Sequence, residues 1–407
     1  MAYRAGRGVG ATARREPGGG AGIALLFLLV PLVILVGLAW VTGLLDYGIW
    51  WATNDRPPVV RLAAPADTVR GAINVPIEVD PADRSDVVDV TIDGRPAQAV
   101  ARNVAIDTAT LADGEHRLSL TVRDQSWRRN QVVAATNIRS DNTPPRIAIE
   151  TRPERFTSGH ALFLRIRSDE PATVQARLGD APLELQPGDG FGWAVLAFPP
   201  DATPRSVSLT IGAADRVGNR SEQRSELALT AGAFGADHVE APPALLPLLG
   251  PEVRAAEDQK LAPTYAKISQ PRLWDGRFVQ PTQGEIITDF GMQRSYNGGP
   301  VAGHHAGVDI AAPAGRPVLA ANRGRVALIE KVQLRGNVLV IDHGMGIYTT
   351  YAHLQSIDVQ PGQTVEKGQP VAKVGSTGLS TGPHLHWELW VNGANVDPLD
   401  WTKLDIP

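Results

Sequence analysis

Between Ala21 and Leu45 the sequence AGIALLFLLVPLVILVGLAWVTGLL runs for 25 residues without a charge, and this segment constrains the rest of the chain. As a helix it would extend roughly 37 Å at about 1.5 Å per residue, more than the hydrocarbon core of a bilayer at about 30 Å. Residues 21–45 are therefore expected to form a single transmembrane helix, with Pro31 tolerated inside it and Trp40, Trp50 and Trp51 near an interfacial belt. A cleaved signal peptide is the competing reading. It would carry an apolar stretch of only about 7 to 15 residues and a small-residue cleavage site. Arg4, Arg7, Arg14 and Arg15 precede the run against one acid, Glu16. The positive-inside rule then makes residues 1–20 a cytoplasmic tail, anchors the chain in the cytoplasmic (inner) membrane, and puts everything after residue 46 in a periplasmic or other extracytoplasmic space.

The remainder is long enough for two to three domains at about 150 residues each. With 41 Gly and 32 Pro in the chain, turns come too often for long helices, and a mainly β protein is expected. A net charge of -4 offers nucleic acid no electrostatic footprint, so none is expected as a partner. Cysteine is absent. Any metal must then be held by nitrogen and oxygen ligands.

Two stretches after the apolar run begin alike, NDRPPVVRL at 54–62 and DNTPPRIAI at 141–149, their paired prolines 87 residues apart. Alternating strands near the end of each block, LSLTVRD from Leu118 and VSLTIGAAD from Val207, are 89 apart. Matching offsets indicate a duplicated module, and short alternating strands punctuated by Asp-Gly turns indicate a β-sandwich. The DGEHRLSLTVRD and ADRVGN stretches resemble bacterial immunoglobulin-like domains, which implies two such modules, 54–140 and 141–231, with surfaces open to cell wall protein partners. A carbohydrate-binding module is the alternative, with Trp127 and Trp193 as stacking platforms. Residues 232–262 are expected to be a linker with a short helix opened by Pro251 and stopped before Pro263. A self-contained antiparallel β domain is expected from 263 to 407.

Six of the nine histidines fall between 304 and 386. In PHLHWEL, read as a strand, residues 384, 386 and 388 share one face. Upstream, His305 and Asp309 form an HxGxD pattern. Extended, their Cα atoms would be about 13 Å apart, so Gly307 is expected to bend the chain and let them converge. His305, Asp309 and one histidine of the HLH pair make three ligands, with a fourth tetrahedral position left for water, the build of a catalytic zinc site. Zinc lowers the pKa of bound water to about 7 and polarises a carbonyl, which points to amide hydrolysis. His353 and the other histidine of HLH are available to handle protons and the oxyanion.

At these residues the chain resembles the lysostaphin-type (LytM-like) zinc endopeptidases that cut peptidoglycan peptides. FGMQRSYNGG, HAGVDIAAPAGRPVLA, GNVLVIDHGMGIYTTYAHL, VEKGQPVAKVGSTGLSTGPHLHWEL and VDP follow in family order over about 130 residues. The resemblance implies His305, Asp309 and His386 as zinc ligands and His353 with His384 as the catalytic pair. It also offers Tyr296 as the tyrosine that helps hold the oxyanion in several relatives. Met292 and Gln293 stand where the family often has a basic residue after the FG turn. The implied function is a membrane-anchored zinc endopeptidase acting on cross-links or stem peptides of peptidoglycan. The alternative is a non-catalytic regulator of another wall hydrolase, although relatives of that kind typically lack ligands. A D-alanyl-D-alanine peptidase of related architecture would space its first histidine and aspartate more widely.

Overall fold

The computed structural model describes residues 20–100 and 102–404, so the expected cytoplasmic tail, up to residue 19, lies outside the described residues. The chain forms two compact units, Met1–Thr143 and Pro144–Pro407.

In the first unit the uncharged run does not continue as one helix. Helix α1, Gly20–Val41, ends where Gly43 takes φ 73°, a left-handed conformation open to glycine without steric penalty. Helix α2, Leu44–Thr53, then leaves at 83° to it. Among the described residues no single helix is long and apolar enough to cross a membrane; Leu29–Val41 and Leu44–Thr53 satisfy length and composition only as a bent pair. Leu32, Val33, Leu35 and Val41 are exposed. Helix α2 packs on the module that follows it. Trp127 donates its indole N–H to the Ala52 carbonyl at 2.8 Å, and the Tyr47 hydroxyl reaches Gln125 at 3.1 Å. Trp127 is thus tied to the helix through its indole N–H while the residue stays 55% exposed.

Behind α2, two four-stranded sheets face each other. The strand Gly114–Asp124 buries His116, Leu118, Leu120 and Val122 and turns the residues between them outward. These pack against Val75, Ile77, Val104 and Ile106 of the opposite sheet, the arrangement the alternation predicts.

The second unit opens with a similar sandwich of five and four strands, filled by Leu164, Ile166, Leu209 and Ile211. Its core does not stop at residue 231. Phe163, Trp193 and Val195 join Trp274, Phe278 and Trp401 in one continuous apolar cluster, with the Trp193 and Trp274 rings edge to face at 6.2 Å. Trp193 is a core residue, which removes it as a ligand platform.

The expected linker is also integrated. Ala236–Val239 is a strand parallel to Gln293–Tyr296, and helix α3, Pro251–Tyr265, runs past Pro263. That proline forfeits a single hydrogen bond in the last turn, while Leu261 and Tyr265 are buried against Val338, Val340 and Tyr348 and hold the turn in place. The C-terminal region is an eight-stranded antiparallel sheet. Its path is Ile286–Thr288, Val308–Ala311, His384–Val391, Ile347–Ala352, Asn337–Gly344, Gly324–Lys331 and Thr364–Val365, with Ala394–Val396 paired to His384–Val391.

One contact between the second sandwich and the short helical turn Asp400–Thr402 depends on pH. His160 Nδ1 lies 2.7 Å from Asp400 Oδ2, and that hydrogen bond raises the His160 pKa against the opposing effect of burial. Because the folded value is raised, the contact contributes fully below the unfolded value of about 6.5 and is lost as pH rises through the folded one. The difference in thermal midpoint between the native chain and His160→Asn should therefore shrink as pH is raised from about 6 to about 8. Calorimetry across that range checks it; a constant difference would exclude the His160 charge as its source.

Candidate metal centre and active site

Strand pairing assembles the separated motifs. Val308–Ala311 runs antiparallel to His384–Val391 with Asp309 opposite His386 and Ala311 opposite His384. On the other flank Ala352 lies opposite His386. His353, the next residue, adopts φ 57°, a conformation that is uncommon outside glycine and that collects at functional sites. Its ring centroid comes to 4.7 Å from His384 and 5.8 Å from His386.

Gly307 serves the site for a different reason from the one the sequence suggests. Its φ is not positive; a Cβ there would lie 2.1 Å from the Trp387 carbonyl oxygen, so the position admits only hydrogen. Gly307→Ala should push Val308–Ala311 off its neighbour and destabilise the fold by about 3 kcal/mol, with loss of metal retention. Denaturant unfolding alongside metal analysis tests both effects.

The three expected ligands meet. His305 Nε2 is 3.0 Å from Asp309 Oδ1 and 2.9 Å from His386 Nδ1, and His386 Nδ1 is 2.8 Å from the same Asp309 oxygen. The outer ring nitrogens are already committed: His305 Nδ1 faces the Asp289 carbonyl at 2.8 Å and His386 Nε2 faces Glu388 Oε1 at 2.9 Å. Both partners only accept, so each outer nitrogen carries the proton and donates. Neutral rings then direct three lone pairs at one another with no proton between them, an arrangement a divalent cation satisfies. Burial pushes His305 down to about 4, which favours its neutral, ligating form. Burial also opposes charge on His386, but Asp309 and Glu388 outweigh it and raise its pKa. Asp309 stays ionised; burial would raise its pKa, and His305 and His386 hold it well below the usual range.

His353 and His384 complete the group. His353 Nδ1 donates to the Thr377 carbonyl and His384 Nδ1 to the Gly382 carbonyl, each at 2.8 Å, leaving both Nε2 atoms unprotonated. Burial pushes His353 down to about 3 and also lowers His384. Tyr296 lines a cavity of about 380 Å³ with Leu249, Arg254, Asp258, Leu334 and Leu379.

The model of Peptidase family M23 matches residues 303–398, which hold all five of these residues. The match places a peptidase family M23 domain at residues 303–398. Over 132 residues the chain is 40% identical to the peptidoglycan DD-endopeptidase ShyB of Vibrio cholerae serotype O1, a match covering 32% of this chain and 30% of that protein. It is 43% identical over 95 residues to the DD-carboxypeptidase/endopeptidase Mpg of Neisseria meningitidis serogroup B, covering 23% and 22%. The solved catalytic domain of lysostaphin from Staphylococcus simulans is 30% identical, with 30% of this chain and 93% of that one covered and a TM-score of 0.27. The chain thus spans about a third or less of these two curated relatives, and the likeness concerns the M23 domain.

Around the five histidine and aspartate side chains lies a set of charges that the sequence reading did not assign. Glu388 is fully buried; burial would raise its pKa, but Arg335 and His386 bring it down to about 2. Arg335 Nε meets its Oε1 at 2.6 Å and Trp390 Nε1 its Oε2 at 2.7 Å. Alternation in HLHWEL was the available signal, since it puts 388 on the face of 384 and 386. Arg294, next after Met292 and Gln293, brings a basic group to the cluster: its Nη2 lies 2.5 Å from Asp309 Oδ2. Asn337 and His343 are structural, the latter buried between the Arg323 carbonyl and Thr349.

Proposed function

We propose that this protein is a membrane-anchored zinc endopeptidase that hydrolyses peptide cross-links or stem peptides of peptidoglycan. The observation that carries the reading is the convergence of three unprotonated donors, His305 Nε2, Asp309 Oδ1 and His386 Nδ1, beside two further histidines with free Nε2 atoms. Zinc held by the three would supply a water acidified to near neutral pH and a Lewis acid for the scissile carbonyl. His353 and His384 do the proton work. In the neutral form each can accept a proton through Nε2 from the attacking water, and once protonated each can donate to the oxyanion or to the departing amine. Their Nδ1 bonds to backbone carbonyls fix the tautomer, so no ring flip has to precede proton transfer. Glu388 and Arg294 orient the ligands, and Tyr296 contributes to the substrate wall.

Peptidoglycan as substrate is supported by relatives that are named peptidoglycan DD-endopeptidases. Anchoring through residues 21–45, with the N-terminus cytoplasmic and the M23 domain periplasmic or extracytoplasmic, is supported by the uncharged run and its exposed apolar side chains. The two sandwiches we read as immunoglobulin-like modules that carry the enzyme into the wall and offer surface to cell wall proteins. Digestion of chemically distinct purified peptidoglycans followed by mass spectrometry is the decisive experiment: new amino and carboxyl termini within the stem or bridge are expected, and products without any new peptide terminus would defeat the proposal.

A further inference from the structure

Two chains of charge leave the His305, Asp309 and His386 cluster, and both end on the connector that precedes the M23 domain. The first starts at Asp309. Its Oδ2 is 2.5 Å from Arg294 Nη2, and Nε of the same guanidinium is 3.3 Å from Asp237 Oδ2. Asp237 lies on Ala236–Val239, whose parallel pairing with Gln293–Tyr296 sets it opposite Arg294. The second starts at His386 and passes through Glu388 to Arg335, whose Nη1 is 2.7 Å from Glu257 Oε1 on helix α3. Glu257 also accepts the backbone N–H of Leu334 at 2.7 Å and of Arg335 at 3.3 Å, so it fixes both the guanidinium and the turn that carries it. The side chains of Glu388, Glu257 and Arg335 are 0%, 2% and 14% exposed.

Each chain controls something a cation would feel. A carboxylate can offer one oxygen or two, and the Arg294 contact on Oδ2 leaves Oδ1 alone facing the two imidazoles. An imidazole ligand takes its tautomer, tilt and basicity from the group on its outer nitrogen; here that group is Glu388, aimed in turn by Arg335 and Glu257. A buried carboxylate keeps such an aim only while its counter-charge stays in place.

We infer that Asp237 and Glu257 are positioning residues of the metal centre, so that the connector from residue 236 to 265 belongs to the centre and its docking sets the affinity for a divalent cation. This rests on the reading of His305, Asp309 and His386 as metal ligands. The test uses the full chain, stripped of metal and titrated with Zn²⁺ against a chromophoric chelator, and in parallel with Co²⁺ followed by visible absorption. Asp237→Asn and Glu257→Gln should each weaken zinc binding about 10-fold or more and alter the cobalt spectrum. The double variant should combine the two losses, because they act on different ligands. Lys260→Ala, which removes the α3 ion pair to Glu330 at 2.9 Å outside both chains, should bind as the native chain does. A merely structural contribution would lower the melting temperature of the metal-free protein and leave the affinity and the spectrum unmoved. Native affinity and spectrum in both variants would overturn the inference, and a native result in one would overturn it for that chain. Should Glu257→Gln fail to fold, Asp237→Asn, at a side chain 26% exposed, decides alone for the first chain, and the cobalt spectrum of Arg335→Lys decides for the second. If the unaltered protein takes up neither ion, the metal reading itself fails and this inference with it.

Discussion

His386→Ala is expected to yield a folded protein that neither retains zinc nor releases muropeptides, with hydrolysis at the level of a no-enzyme control. The substitution takes away one of three donors and with it the closure of the cluster, since His305 Nε2 and Asp309 Oδ1 alone cannot hold a cation at trace concentration. Folding should survive for an identifiable reason. Glu388, which loses its bond to the ring, keeps Arg335 at 2.6 Å and Trp390 at 2.7 Å, so no buried charge is stranded. Metal analysis, peptidoglycan digestion and thermal unfolding of the metal-free form are the three measurements. Undiminished release by the variant would refute the ligand assignment.

The second large effect concerns where the M23 domain begins. A chain starting at residue 263 should fail to form a stable fold, whereas one starting at 144 should fold and retain metal. Cutting at 263 removes Leu261 from the cluster with Val338 and Tyr348, a loss of about 2 to 3 kcal/mol. It also removes Glu257 from Arg335 and from two backbone amides, and breaking a buried ion pair from one side costs about 3 to 5 kcal/mol. It exposes Trp274 by taking away Trp193 as well. Those losses together rival the entire stability of an ordinary domain, about 5 to 15 kcal/mol. Limited proteolysis and thermal unfolding of the two fragments separate the outcomes; a cooperative transition in 263–407 matching that of 144–407 would show that the connector and second sandwich are dispensable.

The metal cluster was legible in the sequence because its members sit in short motifs whose spacing reflects local geometry. Two residues apart on a strand means one face, and this alone places His384, His386 and Glu388 together. His305 and Asp309 could be paired with them by pattern, but the reason Gly307 lies between them could not, since it depends on the carbonyl of Trp387, eighty residues downstream. Arg294, Arg335 and Glu257 were invisible for the same kind of reason: charged residues on a strand, a turn and a helix have no local signature of a shared partner, and only the tertiary fold makes them neighbours. The continuous core shows the limit most plainly. Composition marked 232–262 as a break because proline and glycine cluster there, yet that stretch carries a strand and helix α3 that pack on the C-terminal region, and Phe163, Trp193 and Trp274 share one core.

The strand His384–Val391 has a consequence for how the domain reaches its native state. Trp387 and Leu389 belong to the apolar cluster, while His386 and Glu388 point to the charged side. Sliding this strand by one position against either neighbour would drive an imidazole and a carboxylate into hydrocarbon and push an indole among the ligands. Misaligned pairings are therefore rejected by the same side chains that serve chemistry later, and the sheet edits its own alignment during folding before any substrate arrives.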